Sequence, residues 1–329
     1  MHAFEFHNPA SLTEAIALLD ASDTNNRRVR LMAGGQDLLT EMKEYLVEPE
    51  VVVNLKHIPD LDRLTYDPQK GLHIGALVTV SEVAESADVR RHFPALAMAA
   101  ESVGSPQIRH MGTMGGNLCQ RPRCWYFRNE HIVCLKKGGD RCYAATGQNK
   151  FNAILGGGPS FIVHPSDTAT ALVALNANVT ITGPKGARTL PLEKFFILPS
   201  VNVRRENVLK PDEIVTALQV PASPLAARSV YLKFREKTSM DWAMSAAAVA
   251  LNTAGGRVTD ARIVLGGVAP IPWRVPKAEA LLKGKAPDAA TLHAVAEAAL
   301  DGALPLEQNG YKVPLTKALV RRALQQALA

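Results

Sequence analysis

Cysteine is scarce in this chain of 329 residues: there are four, at positions 119, 124, 134 and 142, all within one short stretch. A disulfide scaffold would spread them, so such a framework is not expected and a reducing compartment is. No apolar run approaches the roughly 18 residues of a membrane span. The opening MHAFEFHNPASLTEA has neither a charged-then-apolar secretory pattern nor a twin arginine. A cytoplasmic protein is expected, or a periplasmic one if a signal-bearing partner carries it out. The net charge is +6, but lysines and arginines are scattered among acids with no basic block or aromatic-studded basic stripe, so nucleic acid is not an expected partner. Three cofactor signatures are also missing. There is no G-x-G-x-x-G after the first strand with an acid about twenty residues on, no P-loop Gly-Lys-Ser/Thr, and no C-x-x-C-H for haem.

What is present is glycine, placed twice before helical sequence. Arg28 to Met32 reads as a strand running into Ala33-Gly34-Gly35-Gln36-Asp37-Leu38-Leu39, followed by helical TEMKEYL. Strand, double glycine, helix start sets unpaired backbone N–H groups where phosphate oxygens can meet them. A second glycine-rich loop, Gly112-Thr113-Met114-Gly115-Gly116-Asn117, leads directly into the cysteines. Either run alone is matched by an ordinary tight turn; two together point to a nucleotide cofactor beside a group of soft ligands.

The remaining pattern is mixed. Ser11-x-x-Glu14 and Thr79-x-x-Glu82 are capping boxes opening helices. Val51 to Leu55 and Leu72 to Val78 read as strands, and Ala95 to Val103 as a small-residue helix. His164-Pro165-Ser166-Asp167 precedes a helix, with Asp167 the expected cap. After about residue 222 the character changes. Ser229 to Glu236 alternates, and Ala243 to Leu251 and Val258 to Leu265 are apolar runs. Helices follow at Pro276 to Leu282, Asp288 to Leu300 and Val313 onward. This is an α+β chain, with a C-terminal antiparallel sheet covered by helices.

The cysteine gaps contain four, nine and seven residues. Only the first suits a zinc knuckle, whereas an iron–sulfur cluster accepts irregular spacing when four thiolates converge. Arg121, Arg123, Arg128, Lys136, Lys137 and Arg141 would offset the negative charge of such a cluster. Zinc and unligated buried thiols stay open as readings of the residues alone.

AGGQDLL at 33–39, GTMGGNL at 112–118 and VLGGVAPIPWR at 264–274 resemble, in order and spacing, the FAD-binding (medium) subunit of the molybdenum hydroxylases, the family of xanthine and carbon monoxide dehydrogenases. The resemblance implies a two-subdomain FAD-binding domain of the vanillyl-alcohol-oxidase-like kind, at 1–58 and 59–224, and a C-terminal α+β domain at 225–329. The insertion at 119–160 is similar to the branch of 4-hydroxybenzoyl-CoA reductase and periplasmic aldehyde oxidoreductase, which carries an extra [4Fe–4S] cluster. It implies Cys124, Cys134 and Cys142 as ligands. Ser160 stands where that branch has its fourth cysteine, and as a harder donor would lower cluster stability and potential; Cys119 is the alternative.

For FAD, the resemblance implies backbone contacts from Ala33, Gly34, Gly35, Gln36, Asp37 and Leu38, and from Gly112, Gly115 and Gly116. It implies side-chain hydrogen bonds from Thr113 and Asn117, with Thr79 also in the site. Ser166 and Asp167 would meet ribose or ribityl hydroxyls, and Lys233 would lie at the isoalloxazine edge. No residue has the look of a substrate base. The implied function is electron transfer between [2Fe–2S] clusters of a small subunit and an external acceptor or donor, with the hydroxylation chemistry on a molybdopterin-binding large subunit. The rival readings are a stand-alone FAD-dependent oxidoreductase and a zinc-stabilised assembly module.

Overall fold

The computed structural model describes residues 1–23, 28–238 and 240–329. The chain opens with three short strands, β1 (Glu5–His7), β2 (Val29–Met32) and β3 (Val51–Asn54), in spatial order β1-β3-β2 and all parallel. Parallel neighbours need crossovers. Helices α1 (Leu12–Ala17) and α2 (Leu38–Lys43) supply them. Ser11 caps α1, but the expected box is displaced by one residue: Glu14 reaches back to the amide of Ala10 rather than Ser11. The helix ends at Ala17 after six residues.

The second sheet is antiparallel, in order β4-β5-β8-β6-β7. Its strands are β4 (Leu64–Asp67), β5 (Gly71–Gly75), β6 (Asn178–Gly183), β7 (Gly186–Pro191) and β8 (Ile214–Val220). Between β5 and β6 the chain makes a long excursion through α3 (Val80–Glu85), α4 (Ala87–His92), α5 (Pro94–Glu101), α6 (Pro106–Met111), α7 (Met114–Cys119), the cysteine segment and α8 (Asp167–Ala174). The capping box predicted at Thr79 is fully formed: its hydroxyl accepts from the Glu82 amide, and the Glu82 carboxylate accepts from the Thr79 amide. Leu72, Ile74, Val179, Ile181 and Leu218 bury one sheet face against α5 and α8.

A short helix, α9 (Pro224–Ala227), leads to the third sheet, antiparallel and ordered β12-β11-β10-β9. It comprises β9 (Ser229–Phe234), β10 (Ser245–Ala254), β11 (Arg257–Gly266) and β12 (Trp273–Arg274). Both faces of this sheet are covered, which explains why β10 reads as one apolar run rather than an alternation. Ala246 and Ala248 join the core of the preceding sheet and its helices; Ala247, Val249 and Leu251 face α10 (Pro276–Leu282), α11 (Ala289–Ala299) and α12 (Lys312–Leu328). Alanine on the first of these faces leaves room for close packing against α5 and α8. No helix among the described residues is long and apolar enough to cross a membrane.

Candidate functional site

The two glycine runs, 78 residues apart in sequence when Gly34 and Gly112 are compared, pack directly on each other. A Cβ on Gly34 would lie 1.7 Å from the carbonyl oxygen of Met111 and 3.2 Å from Cα of Gly112. Glycine at 34 is therefore demanded by the second run, not only by a ligand. Gly35 adopts φ 72° and turns the chain into α2.

The second run is only partly a loop. Gly115, Gly116 and Asn117, expected there, form the first turns of α7, with the Thr113 hydroxyl capping the Gly116 amide. Thr113 is a good N-cap, and its spacing from the glycines was the sequence signal for this helix. The run is stitched to the chain before α3. The amides of Met114 and Gly115 donate to Val78 and Ala76, and the Val80 amide donates to Gly112. Gly115 is also tight, since a Cβ there would sit 2.9 Å from that of Ala76.

The start of α8 is the third element. Its cap is Ser166, which accepts from the Ala169 amide, and Asp167 takes the first helical position instead of capping. Asn117 joins this start to α7: its Oδ1 accepts from the hydroxyls of Ser166 and Thr168. His164 braces the same junction. Its Nδ1 accepts from the Ser166 amide, so Nε2 carries the proton toward the Leu118 carbonyl 3.3 Å away. Burial pushes this imidazole down to about 4, and it is held neutral.

Asp167 is buried, with the Tyr231 hydroxyl on Oδ1 and the Lys233 ammonium 2.8 Å from Oδ2. Lys233 also donates to the Ser102 carbonyl, and its side chain is only 4% exposed. This lysine was the one residue of the C-terminal sheet expected here; Tyr231 was missed. The two lie two residues apart on β9 and hence on one face, so the alternation of SVYLKF carried the signal. Burial, Asp167 and its hydrogen bond raise the Tyr231 phenol well above its ordinary value.

These elements border two adjoining cavities. One, of about 470 Å³, is lined by both glycine runs, Asn117, Asp167 and part of the cysteine segment. The other, of about 400 Å³, is lined by Ser166, Asp167, Tyr231, Trp125 and Trp242. Arg123, Pro165, Asp167, Asp241 and Trp242 line both. Among the expected site residues, Ala33 to Leu38, Gly112, Thr113 and Gly115 to Asn117 reach the larger cavity. Thr79 does not, its hydroxyl serving the capping box. Lys233 lines neither cavity and sits behind Asp167.

The cysteine segment departs further from expectation. Among the described residues no three His, Cys, Asp or Glu side chains are gathered to hold a metal ion. Cys134 and Ser160 are buried, and Cys124 lines the smaller cavity. The Cys124 sulfur accepts from the amides of Phe127 and Tyr126 and has the Asn152 side-chain amide at 3.8 Å. Cys119, at the end of α7, lines the larger cavity, and its thiol is pushed up to about 12 by burial and by Glu206. Four of the six cations expected to balance a cluster are already paired: Arg121 and Lys136 with Glu206, and Arg123 and Arg128 with Asp37.

The site can be compared with known proteins. The family described as the FAD binding domain in molybdopterin dehydrogenase matches residues 2–223, and the CO dehydrogenase flavoprotein C-terminal domain matches residues 229–327. The aldehyde oxidoreductase FAD-binding subunit PaoB of Escherichia coli (strain K12) is 33% identical over 303 residues, covering 91% of this chain and 92% of its own. The carbon monoxide dehydrogenase medium chain of Hydrogenophaga pseudoflava is 29% identical over 331 residues, covering 99% and 97% respectively. A solved structure of carbon monoxide dehydrogenase from that organism superposes with a TM-score of 0.77 over 99% of this chain and 97% of that one, at 29% identity. The packed glycine turns, the capped starts of α7 and α8 and the matched length agree: the chain belongs to the family of FAD-binding subunits of the molybdopterin-dependent dehydrogenases, oxidoreductases of the molybdenum hydroxylase type.

Proposed function

We propose that this chain holds FAD across the two cavities and works as the electron-transfer subunit of a heteromeric molybdenum hydroxylase. Electrons would pass between [2Fe–2S] clusters of a small partner subunit and an external acceptor or donor, with substrate chemistry on a molybdopterin-binding large subunit. The observation that carries this reading is the meeting of Gly34 with Met111, which brings two glycine turns to one wall of the larger cavity. Such turns suit a pyrophosphate.

Backbone of Ala33 to Leu38 is assigned to that pyrophosphate together with the Thr113 amide, since the amides of Gly112, Met114, Gly115 and Gly116 already donate to Ile108, Val78, Ala76 and the Thr113 hydroxyl. Thr113 keeps α7 in place, and Asn117, its oxygen already occupied by Ser166 and Thr168, presents its amide nitrogen as a donor. Asp167 retains lone pairs beyond those used by Tyr231 and Lys233 and can accept from a ribityl or ribose hydroxyl. Lys233 then acts through Asp167, holding its carboxylate in place. Bound FAD supplies the exchange between two-electron and one-electron transfer, and the protein supplies position and electrostatics.

The finer part of the reading is an iron–sulfur cluster on Cys124, Cys134 and Cys142, with Ser160 as fourth ligand. Its support is the set of N–H donors aimed at the Cys124 sulfur, the kind of partners a cluster-bound sulfur accepts from; burial outweighs them in the free thiol and pushes it up. The other thiols would have to draw toward Cys124 around the cluster.

The test is an absorption spectrum of the anaerobically purified chain with iron and acid-labile sulfide assayed on the same sample. Flavin bands with about four irons per flavin are expected for one cubane, and Ser160→Cys should retain that iron longer under air. Flavin bands without iron would remove the cluster and leave the FAD subunit. A colourless, zinc-containing chain would falsify the flavin reading.

A further inference from the structure

The first carboxylate of the flavin loop faces the cysteine segment. Asp37 starts α2 but makes no capping hydrogen bond with its side chain. Its Oδ2 accepts from the Arg121 amide at 2.7 Å, and its Oδ1 accepts from Arg128 at 2.7 Å, with Arg123 at 3.0 Å. Burial alone would raise this carboxyl; Arg123, Arg128 and the Arg121 amide outweigh it and hold it below the usual range.

The same stretch of chain is fastened at two further places. Arg121 is 2.8 Å from Glu206 and donates to the Arg204 carbonyl. Arg123 lies 4.5 Å over the Trp242 ring, on the loop between β9 and β10. Arg121, Arg123 and Phe127 line the larger cavity. Residues 120–128 are thus a strap across the cavity, tied to all three of its neighbouring walls. One end is not fully drawn in. Glu41 Oε1 and Arg128 Nη1 face each other at 3.9 Å, and neither makes a hydrogen bond among the described residues. Buried charged atoms left this way favour further closure.

We propose that Asp37 is a positioning residue whose side chain latches this strap over the bound dinucleotide, while its backbone belongs to the glycine turn that holds it. The inference rests on the FAD reading above. A ligand that brings the turn into its bound shape also fixes the anchor of the strap, and a fastened strap slows ligand escape. Occupancy of the cavity and order in residues 120–128 are therefore coupled, and by reciprocity each strengthens the other.

Limited tryptic digestion tests this on the whole chain, because cleavage after Arg123 and after Arg128 requires the strap to lift. In the wild-type protein FAD is expected to slow both cleavages at least tenfold. Asp37→Asn should abolish most of that protection and weaken FAD binding about tenfold, and Arg128→Gln, which removes the other half of the latch together with its own cleavage site, should do the same as read at the Arg123 bond and in FAD affinity. The double variant should be no worse than the weaker single one. Lys43→Gln, exposed on the same helix, should match wild type. If FAD protects neither bond in the wild type, or if both single variants bind FAD with wild-type affinity, the latch is overturned. If the wild-type chain binds no FAD at all, the functional reading falls first and this inference falls with it.

Discussion

Gly34→Ala is the sharpest perturbation of the site, because the methyl meets backbone rather than a side chain that could rotate away. Its Cβ would lie 1.7 Å from the Met111 oxygen and 2.7 Å from the Met111 carbonyl carbon, whereas real Cβ atoms essentially never approach closer than 3.0 Å. The two glycine turns must therefore part by more than 1 Å. Forcing an added methyl into packed structure costs ~1–3 kcal/mol. In the apoprotein the turns can separate and relieve that strain. With FAD bound they cannot, if both turns hold one pyrophosphate. The same ~1–3 kcal/mol then appears in binding, as a rise in Kd of about 5- to 150-fold. Gly310→Ala is the control, since a Cβ there has nothing within 4 Å. Flavin fluorescence titration of the two variants and the wild type, with thermal unfolding of each apoprotein, gives the comparison. Wild-type FAD affinity in Gly34→Ala would refute the claim that the turns act together.

Three further outcomes follow from individual groups. His164 is neutral when folded, with its value pushed from 6.5 to about 4; the unfolded chain takes up a proton first as pH falls. Stability should drop by ~3 kcal/mol between about pH 6.5 and pH 4, and denaturant titrations of His164→Asn should lose that slope while starting from a lower plateau. Lys312 is buried without a carboxylate, donating to the Phe151 and Gly267 carbonyls, and burial lowers it from 10.5 to about 7. Stability should therefore rise as pH increases from about 7 to 10, and Lys312→Met should flatten that part of the profile. Thr79→Ala breaks the capping box on α3 and should cost ~1 kcal/mol by chemical denaturation, with a smaller effect on FAD affinity, since Thr79 stands outside the cavity wall.

Legibility in the sequence followed the range of the interactions. The start of α3 was readable because a hydroxyl three residues before an acid fixes it locally at Thr79, whereas the start of α7 at Thr113 reads as loop and the cap of α8 is Ser166 rather than Asp167. The long apolar strands β10 and β11 were readable from composition. β4, β7 and α6 were not anticipated; β7 is largely exposed and bears no apolar face, so no periodicity marks it. At the site, the two glycine runs were singled out, but not their packing on each other. Only the fold shows that Gly34 is required by Met111 rather than by a ligand alone. The basic residues of the cysteine segment were expected to balance a cluster, but Asp37 and Glu206, remote in sequence, claim most of them. Pairings of that kind leave no local trace.

The donors on Asp167 come from β9, beyond residue 223, where the FAD-binding family match ends. A nascent chain that has emerged only that far possesses both glycine turns yet leaves this buried carboxylate bare. An uncompensated charge in that place opposes closure of the cavity. The two matched domains therefore share one buried charge, and neither is electrostatically complete without the other.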